Sequence, residues 1–447
     1  PFIAVLSNPE VVESNRYLAT AFHFVGVGSV ESFLFLLGFL FFSLLIASLL
    51  LKALGVWAQL RFSHNRNSAW SARLVGGYLR QPYEWFLNRH SADLAKEVLV
   101  EVGQVVNGAL FPAMQSIANA LVAGFLLILL IGVDPLLALA LGGVLGGGYA
   151  GISILMRHRL HRIGLERREA LRERFQVVHD AFGGIKDVKV AALEEVFLRR
   201  FRSPAETLAS RQISAGLIWQ VPSLAMQALL FGGMLLVLLY LMATHGGFQE
   251  ALPLIAVYAL GEYRLMLSIQ NIYQAISQLR YSEAALDALC EDFASLNTMP
   301  PPGSHAPRPR KRDRLPLRSA VEMDRVSYRY PGAERPALRS VSLRIPANTT
   351  VGLVGATGSG KTTAVDILMG LLGPYSGVIR VNGTEITEEL LRRWQRSIGY
   401  VPQQIFLSDD TVASNIAFGL PSNRIDMAAV EVAARVANLH DFVINEL

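Results

Sequence analysis

Gly355-Ala356-Thr357-Gly358-Ser359-Gly360-Lys361-Thr362-Thr363 fits the pattern G-x-x-x-x-G-K-[ST]. Gly355, Gly358 and Gly360 let the backbone take conformations closed to other residues and approach a ligand closely. Amides of such a loop converge on anionic oxygens at the mouth of the next helix. In this pattern Lys361 reaches the β- and γ-phosphates of a nucleotide, and the Thr362 hydroxyl holds Mg²⁺. The flanks agree with that reading. Residues 350–354 are an apolar run suited to a strand buried on both faces, and 364–372 read as a helix stopped by Gly373-Pro374. Strand, glycine loop and helix predict a P-loop α/β domain, with all nine residues 355–363 as candidate phosphate contacts.

Outside this domain the composition is not that of a soluble protein. Of 447 residues, 52% are hydrophobic and 17% charged, against about 25% charged in soluble domains. The net charge of +5 comes from basic residues lying between apolar runs and in one linker. That is the pattern of a membrane protein's cytoplasmic side and not of a nucleic-acid interface. The single cysteine, Cys290, excludes an internal disulfide framework and a cysteine metal site, and it reads as a small structural residue near a helix end.

Five long apolar segments, at about 33–56, 109–133, 135–156, 215–244 and 251–279, predict membrane spans. Residues 57–108 carry six Lys/Arg and 157–214 carry thirteen, whereas Asp134-Pro135 and 245–250 carry none. The two basic loops are therefore expected on the cytoplasmic side. Each reads as a helical extension with a break, at Gln81-Pro82 and at Gly183-Gly184. Residues 8–23, with Asn8 as cap and Pro9 in the first helical position, read as an external helix. Gly142, Gly143, Gly146, Gly147 and Gly151 read as a surface for close helix packing. In the last span Glu262 and Arg264 interrupt the apolar run, and Arg264 is expected to line an aqueous cavity. The domains follow: a transmembrane domain over 1–296, a Pro-rich basic linker over 297–319, and a partial nucleotide-binding domain over 320–447. In the last of these, Val321 and Met323 with Tyr328 and Tyr330, Val341 to Ile345, and Val378 to Val381 read as strands, and Asn382-Gly383 as a turn. Tyr400 and Val401 end a further strand, and 426–447 read as helical.

A membrane domain with long cytoplasmic extensions, fused to a phosphate-loop domain, resembles a half-transporter of the ABC exporter type. Val326-Ser327-Tyr328-Arg329-Tyr330-Pro331-Gly332 is similar to the family's adenine-stacking loop, which implies Tyr330 against the base. Tyr400-Val401-Pro402-Gln403 resembles the Q-loop, which implies Gln403 as a ligand of Mg²⁺ near the attacking water. The resemblance makes Lys361 and Gln403 the catalytic candidates, ATP and Mg²⁺ the cofactors, and a second half-transporter the partner, in a homodimer. It also implies contacts to the nucleotide domain near residues 82–88 and 183–195. The family's signature motif, Walker B strand and switch histidine have no match before Leu447. The chain therefore reads as truncated at both ends and, by itself, inactive as an ATPase.

Within the exporters, Arg61-Phe62-Ser63, Tyr83-Glu84-Trp85-Phe86, Tyr263-Arg264-Leu265-Met266 and Asn15-Arg16-Tyr17-Leu18 resemble the bacterial lipid-linked oligosaccharide flippases. That implies a bacterial inner-membrane protein that flips a polyprenyl-diphosphate glycan, with Arg264 a partner of the diphosphate. Asn271 and Ser223 stand where more cavity charge would be expected. Two other readings stay open: an exporter of drugs, peptides or other lipids, and an ATP-gated regulator or channel that does not pump.

Overall fold

A computed structural model describes residues 19, 20, 22, 24, 29–244, 248–296, 314–403 and 405–446. The expected external helix lies almost wholly outside the described residues, as does the basic part of the linker. The chain divides into two compact units, Pro1–Ala306 and Pro307–Leu447.

The first unit is helical: α1 Val30–Tyr78, α2 Tyr83–Phe86, α3 Ser91–Val133, α4 Pro135–Gly183, α5 Ile185–Val190, α6 Glu194–Thr244 and α7 Phe248–Leu296. By length and composition, four helices among the described residues can cross a membrane, and they lie in α1, α3, α4 and α6. The fifth apolar segment, 251–279, lies on α7, where the side chains of 251–258 are outside the described residues. With 49 residues each, α1 and α4 run roughly 73 Å at 1.5 Å per residue. That is more than twice the ~30 Å of a bilayer core, so each must project well beyond it. Local chemistry sets the ends. Ser29 caps α1 by accepting from the Ser32 amide. Asp134 alone turns α3 into α4, its Oδ1 accepting from Leu136 N at 3.0 Å and Leu137 N at 3.2 Å, with Pro135 in the first helical turn.

The two larger apolar clusters of this unit hold the helices together. Leu130, Leu145, Met226, Leu265 and Tyr273 join α3, α4, α6 and α7. Leu74, Tyr78, Val102, Val106 and Leu289 join α1, α3 and α7. The glycine stripe on α4 is only partly a packing surface. A Cβ at Gly142 would lie 3.0 Å from Leu127 on α3, whereas Gly143, Gly146, Gly147 and Gly151 face open space. The tightest contact is at Gly148, against Met226 of α6. Neighbouring helices cover one side of α4, and most of the stripe falls on the other. Cys290 lies in the last two turns of α7, as expected, and is exposed.

Helix α3 has two π-turns, Glu97–Glu101 and Val106–Leu110. The first carries Glu97 and Glu101, which pair with Arg168 and Arg167 of α4.

The second unit holds β1 Ala320–Tyr328, β2 Leu338–Pro346, α8 Lys361–Leu368, β3 Ser376–Val381, β4 Thr384–Glu385, α9 Glu388–Gln395, α10 Val412–Ile416, α11 Met427–Val436 and α12 His440–Glu446. The sheet is antiparallel, in the order β2-β1-β3-β4. Val321 pairs with Ile345 on one side and Val381 on the other, and Met323 with Leu343 and Ile379. Beyond Met323 the ladder bulges, with Arg325 at φ 50°. There Gly377 (φ +86°) passes so close that a Cβ would sit 2.5 Å from the Asp324 and Arg325 carbonyl oxygens, so only glycine fits. The turn at Asn382-Gly383 has positive φ at both residues, as a tight hairpin requires.

One sheet face buries Val321, Met323, Val326 and Ile379 against Ala364 and Ile367 of α8 and Trp394 of α9. Helix α8 ends four residues earlier than the sequence suggested. Gly370 takes φ +67°, Leu371 N donates to Asp366 O, and Gly370 N donates to Ile367 O, which closes the helix in a Schellman turn. Trp394 Nε1 and Gln395 Nε2 satisfy the carbonyls of Leu368 (2.7 Å) and Gly370 (3.0 Å).

The expected strand at 350–354 does not form, and neither does the one ending at Tyr400-Val401. Val354 is 98% exposed and Val401 88%. A strand buried on both faces needs a neighbour on each side, and the described residues give these segments none.

Candidate functional site

The glycine loop is shaped by its own backbone. Gly358 and Gly360 take φ +80° and +89°. At Gly360 a Cβ would lie 2.7 Å from the Ala337 carbonyl oxygen and from Leu338, so the loop can press on the start of β2 only without a side chain. Gly360 is also the N-cap of α8, and no side chain caps that end. The first-turn amides, and the positive end of the helix dipole, therefore point into the loop with no protein acceptor of their own.

Lys361 curls back over this loop. Its Nζ donates to Gly355 O at 2.7 Å, Ala356 O at 2.8 Å and, more weakly, Ser359 Oγ at 3.4 Å. Ser359 N donates to Ala356 O at 3.2 Å, which tightens the turn that includes Thr357. An ammonium beside an uncapped helix N-terminus is the donor set that a polyphosphate needs. These residues fit ATP.

The two threonines after the lysine differ. Thr362 is exposed, where its hydroxyl can meet a metal carried in with phosphate, while Thr363 is buried at 5% exposure. The Thr363 hydroxyl lies 3.0 Å from that of Tyr330. Tyr330 also sets its ring edge-on to Tyr328, at 5.0 Å and 88°. The expected base-stacking residue is thus tied to the phosphate loop through α8, a link that the sequence does not reveal. Asp366, one turn along α8, has its carboxyl held above the usual range by burial. Gln403 stands apart: it is exposed, and among the described residues no hydrogen bond joins it to the loop.

In the membrane unit Arg264 is exposed on α7, and among the described residues no ion pair engages it. It does not pair with Glu262, which is buried at 2% exposure. Asn271, seven residues after Arg264 and so on nearly the same face, donates to Asn119 Oδ1 on α3 at 3.2 Å. Asn119 in turn donates to Gln115 O at 2.8 Å. The sequence reading missed Asn119 and Gln115, whose only signal was two amides in an apolar span. Ser223 has no cavity role here. It is buried, and its hydroxyl donates to Gln220 O in its own helix at 2.6 Å.

Comparison with known proteins gives one answer for both units. A family profile described as "ABC transporter transmembrane region" matches residues 14–258, and one described as "ABC transporter" matches 338–446. The ATP-dependent lipid A-core flippase of Methylococcus capsulatus is 30% identical over 383 residues, covering 82% of this chain and 59% of that protein. Those of Alkalilimnicola ehrlichii (28% over 367 residues, 82% and 60%) and Escherichia coli K12 (26% over 384 residues, 83% and 62%) are similar to it as well. The chain spans about three fifths of the length of these curated relatives. In fold it resembles a bacterial Atm1-family ABC exporter solved with ATP bound, with a TM-score of 0.71 at 19% identity, covering 99% of this chain and 76% of that one. Helical membrane unit and phosphate-loop unit on one polypeptide match the same family, and the chain belongs to the ABC transporters, in the fused arrangement of an exporter half-transporter.

Proposed function

We propose that the whole protein moves a lipid from one leaflet of a bacterial inner membrane to the other, driven by ATP hydrolysis in a homodimer of half-transporters. The observation that carries this reading is the open α8 N-terminus with Lys361 curled over the loop, on the same chain as helices apolar and long enough to cross a membrane. Residues 355–363 hold the phosphates, Tyr330 offers its ring to the base, and Thr362 and Gln403 take Mg²⁺. Bound Mg²⁺ would offset charge on the β- and γ-phosphates, while Lys361 orients the γ-phosphate. The ATP-binding unit lies on the cytoplasmic side with the basic extensions.

The relatives' name supports a lipid as cargo. Within that class we place a lipid-linked oligosaccharide, on the strength of Arg264: an exposed guanidinium on a membrane helix suits a phosphate-bearing head group.

The test is a flipping assay on full-length protein in liposomes, with Lys361→Ala as the blank. Vesicles carry either lipid A-core or a polyprenyl-diphosphate oligosaccharide. ATP-dependent translocation of the second, lost in the blank, supports the full reading. Translocation of lipid A-core alone keeps the flippase and removes the oligosaccharide. ATP turnover with neither lipid moved would overturn lipid flipping.

A further inference from the structure

Glu262 is the one carboxylate on the described part of the membrane bundle that is both buried and unpartnered. It sits on α7 at 2% exposure, and its Oε1 has no hydrogen-bond partner. No ion pair or hydrogen bond involving its side chain is found among the described residues. Helix α6 passes close by at Gly233, where a Cβ would stand 3.4 Å from Oε1. The adjoining Gly261 is closed off by Leu130 of α3, 2.9 Å from where a Cβ would be. The carboxyl is thus sealed among α3, α6 and α7.

Among the described residues, no charge is found facing it from the elements packed there. Helix α6 brings Gly233 and Met226, and α3 brings Leu130. On α7 itself, Tyr263 and Arg264 are exposed, the latter about 200° around the helix. Among the described residues, the titratable groups of the same packed layer are the phenols of Tyr149 and Tyr273, with ring centroids 5.1 Å apart. The nearby Asp134 accepts from the first amides of α4. An ionised carboxylate with no partner at membrane depth is strongly disfavoured, while the neutral acid is not. A metal ion would need several oxygen ligands, and no metal-holding cluster exists among the described residues.

We infer that Glu262 is a proton-binding site of the membrane unit, neutral while α3, α6 and α7 close around it and ionised when they part. On opening, the O–H bond breaks, its electron pair stays on the carboxylate, and the proton passes to water. Closing reverses the step, and nothing is oxidised or reduced. Each opening and closing of the helices then releases and takes up one proton, so that movement of the bundle is linked to pH. This goes beyond lipid flipping and does not depend on the cargo.

The experiment uses full-length protein in lipid nanodiscs. Infrared spectra at neutral pH should contain the carbonyl stretch of a protonated carboxylic acid, and that band should vanish in Glu262→Gln. ATP turnover against pH should include a one-proton step, at most about tenfold per pH unit, that Glu262→Gln flattens and Glu262→Asp keeps. Superimposable spectra of wild type and Glu262→Gln, or superimposable pH profiles, would overturn the inference. Should Glu262→Gln not fold, Glu262→Asp decides by the same spectra: a protonated-acid band that shifts in frequency supports the site, and a band unmoved from that of the wild type refutes it.

Discussion

Arg167 on α4 donates a 2.8 Å hydrogen bond to Glu101 on α3, with the two side chains 5% and 0% exposed. Arg167 also lies over the Tyr281 ring of α7, at 5.7 Å from its centroid. Beside this pair Arg168 donates to Glu97 at 3.1 Å, and Lys96 lies 3.2 Å from the same carboxylate oxygen. The network joins α3, α4 and α7 at the first π-turn.

Breaking this buried pair from one side should cost more than removing it altogether. Arg167→Ala leaves Glu101 buried and uncompensated, and about 3–5 kcal/mol of stability should be lost. The double variant Arg167→Met, Glu101→Leu should recover most of that loss. Thermal unfolding of the full-length protein in detergent checks both. Equal losses in the single and double variants would contradict the account.

Beside the break of the first extension, the Tyr78 hydroxyl donates to Asp292 at 2.9 Å, and Arg89 lies 3.6 Å from the same carboxylate. Burial first, and then the Asp292 charge, raise the Tyr78 pKa above its ordinary value. A raised folded-state pKa means that this contribution is complete below about pH 10, the unfolded phenol's value, and is lost as pH climbs through the folded one. Tyr78→Phe should cost about 1 kcal/mol at pH 7. The variant should also lack the wild type's additional loss of stability above pH 10, as melts at both pH values will tell.

Lys361→Ala removes the ammonium that the loop carbonyls hold in place. ATP turnover by the full-length protein should fall by about 100-fold or more, the scale for losing one preorganised charge donor. Turnover near the wild-type rate would move the site elsewhere.

Arg264→Ala should lower the number of phosphate-bearing lipids moved per ATP hydrolysed by about tenfold, the equivalent of one charge-assisted hydrogen bond. Arg264→Lys should restore part of that ratio. An unchanged ratio would remove Arg264 from the transport path.

The phosphate loop was legible because its chemistry is local: the glycines, lysine and threonines are contiguous, and Gly358 and Gly360 have the positive φ that their type allows. The long apolar helices and the strands β1 to β3 were legible for the same reason, as were the helix breaks at Gln81-Pro82 and Gly183-Gly184. What failed depended on neighbours. Residues 350–354 have the composition of a buried strand, yet Val354 lies open, because burial belongs to a sheet and not to a segment. Gly143, Gly146 and Gly147 have the spacing of a packing face, yet the partner helices lie on another side of α4.

The sequence by itself therefore determined the elements set by local pattern and turn chemistry, together with the donor set of the loop, since both follow from residues a few positions apart. Only the tertiary structure decided that Glu101 meets Arg167, that Tyr330 is tied to Thr363, and that Glu262 is sealed away while Arg264 is exposed. Pairs separated by 33 or 66 residues carry no local signal. They are selected when helices and strands pack, by the cost of leaving a buried polar group without a partner.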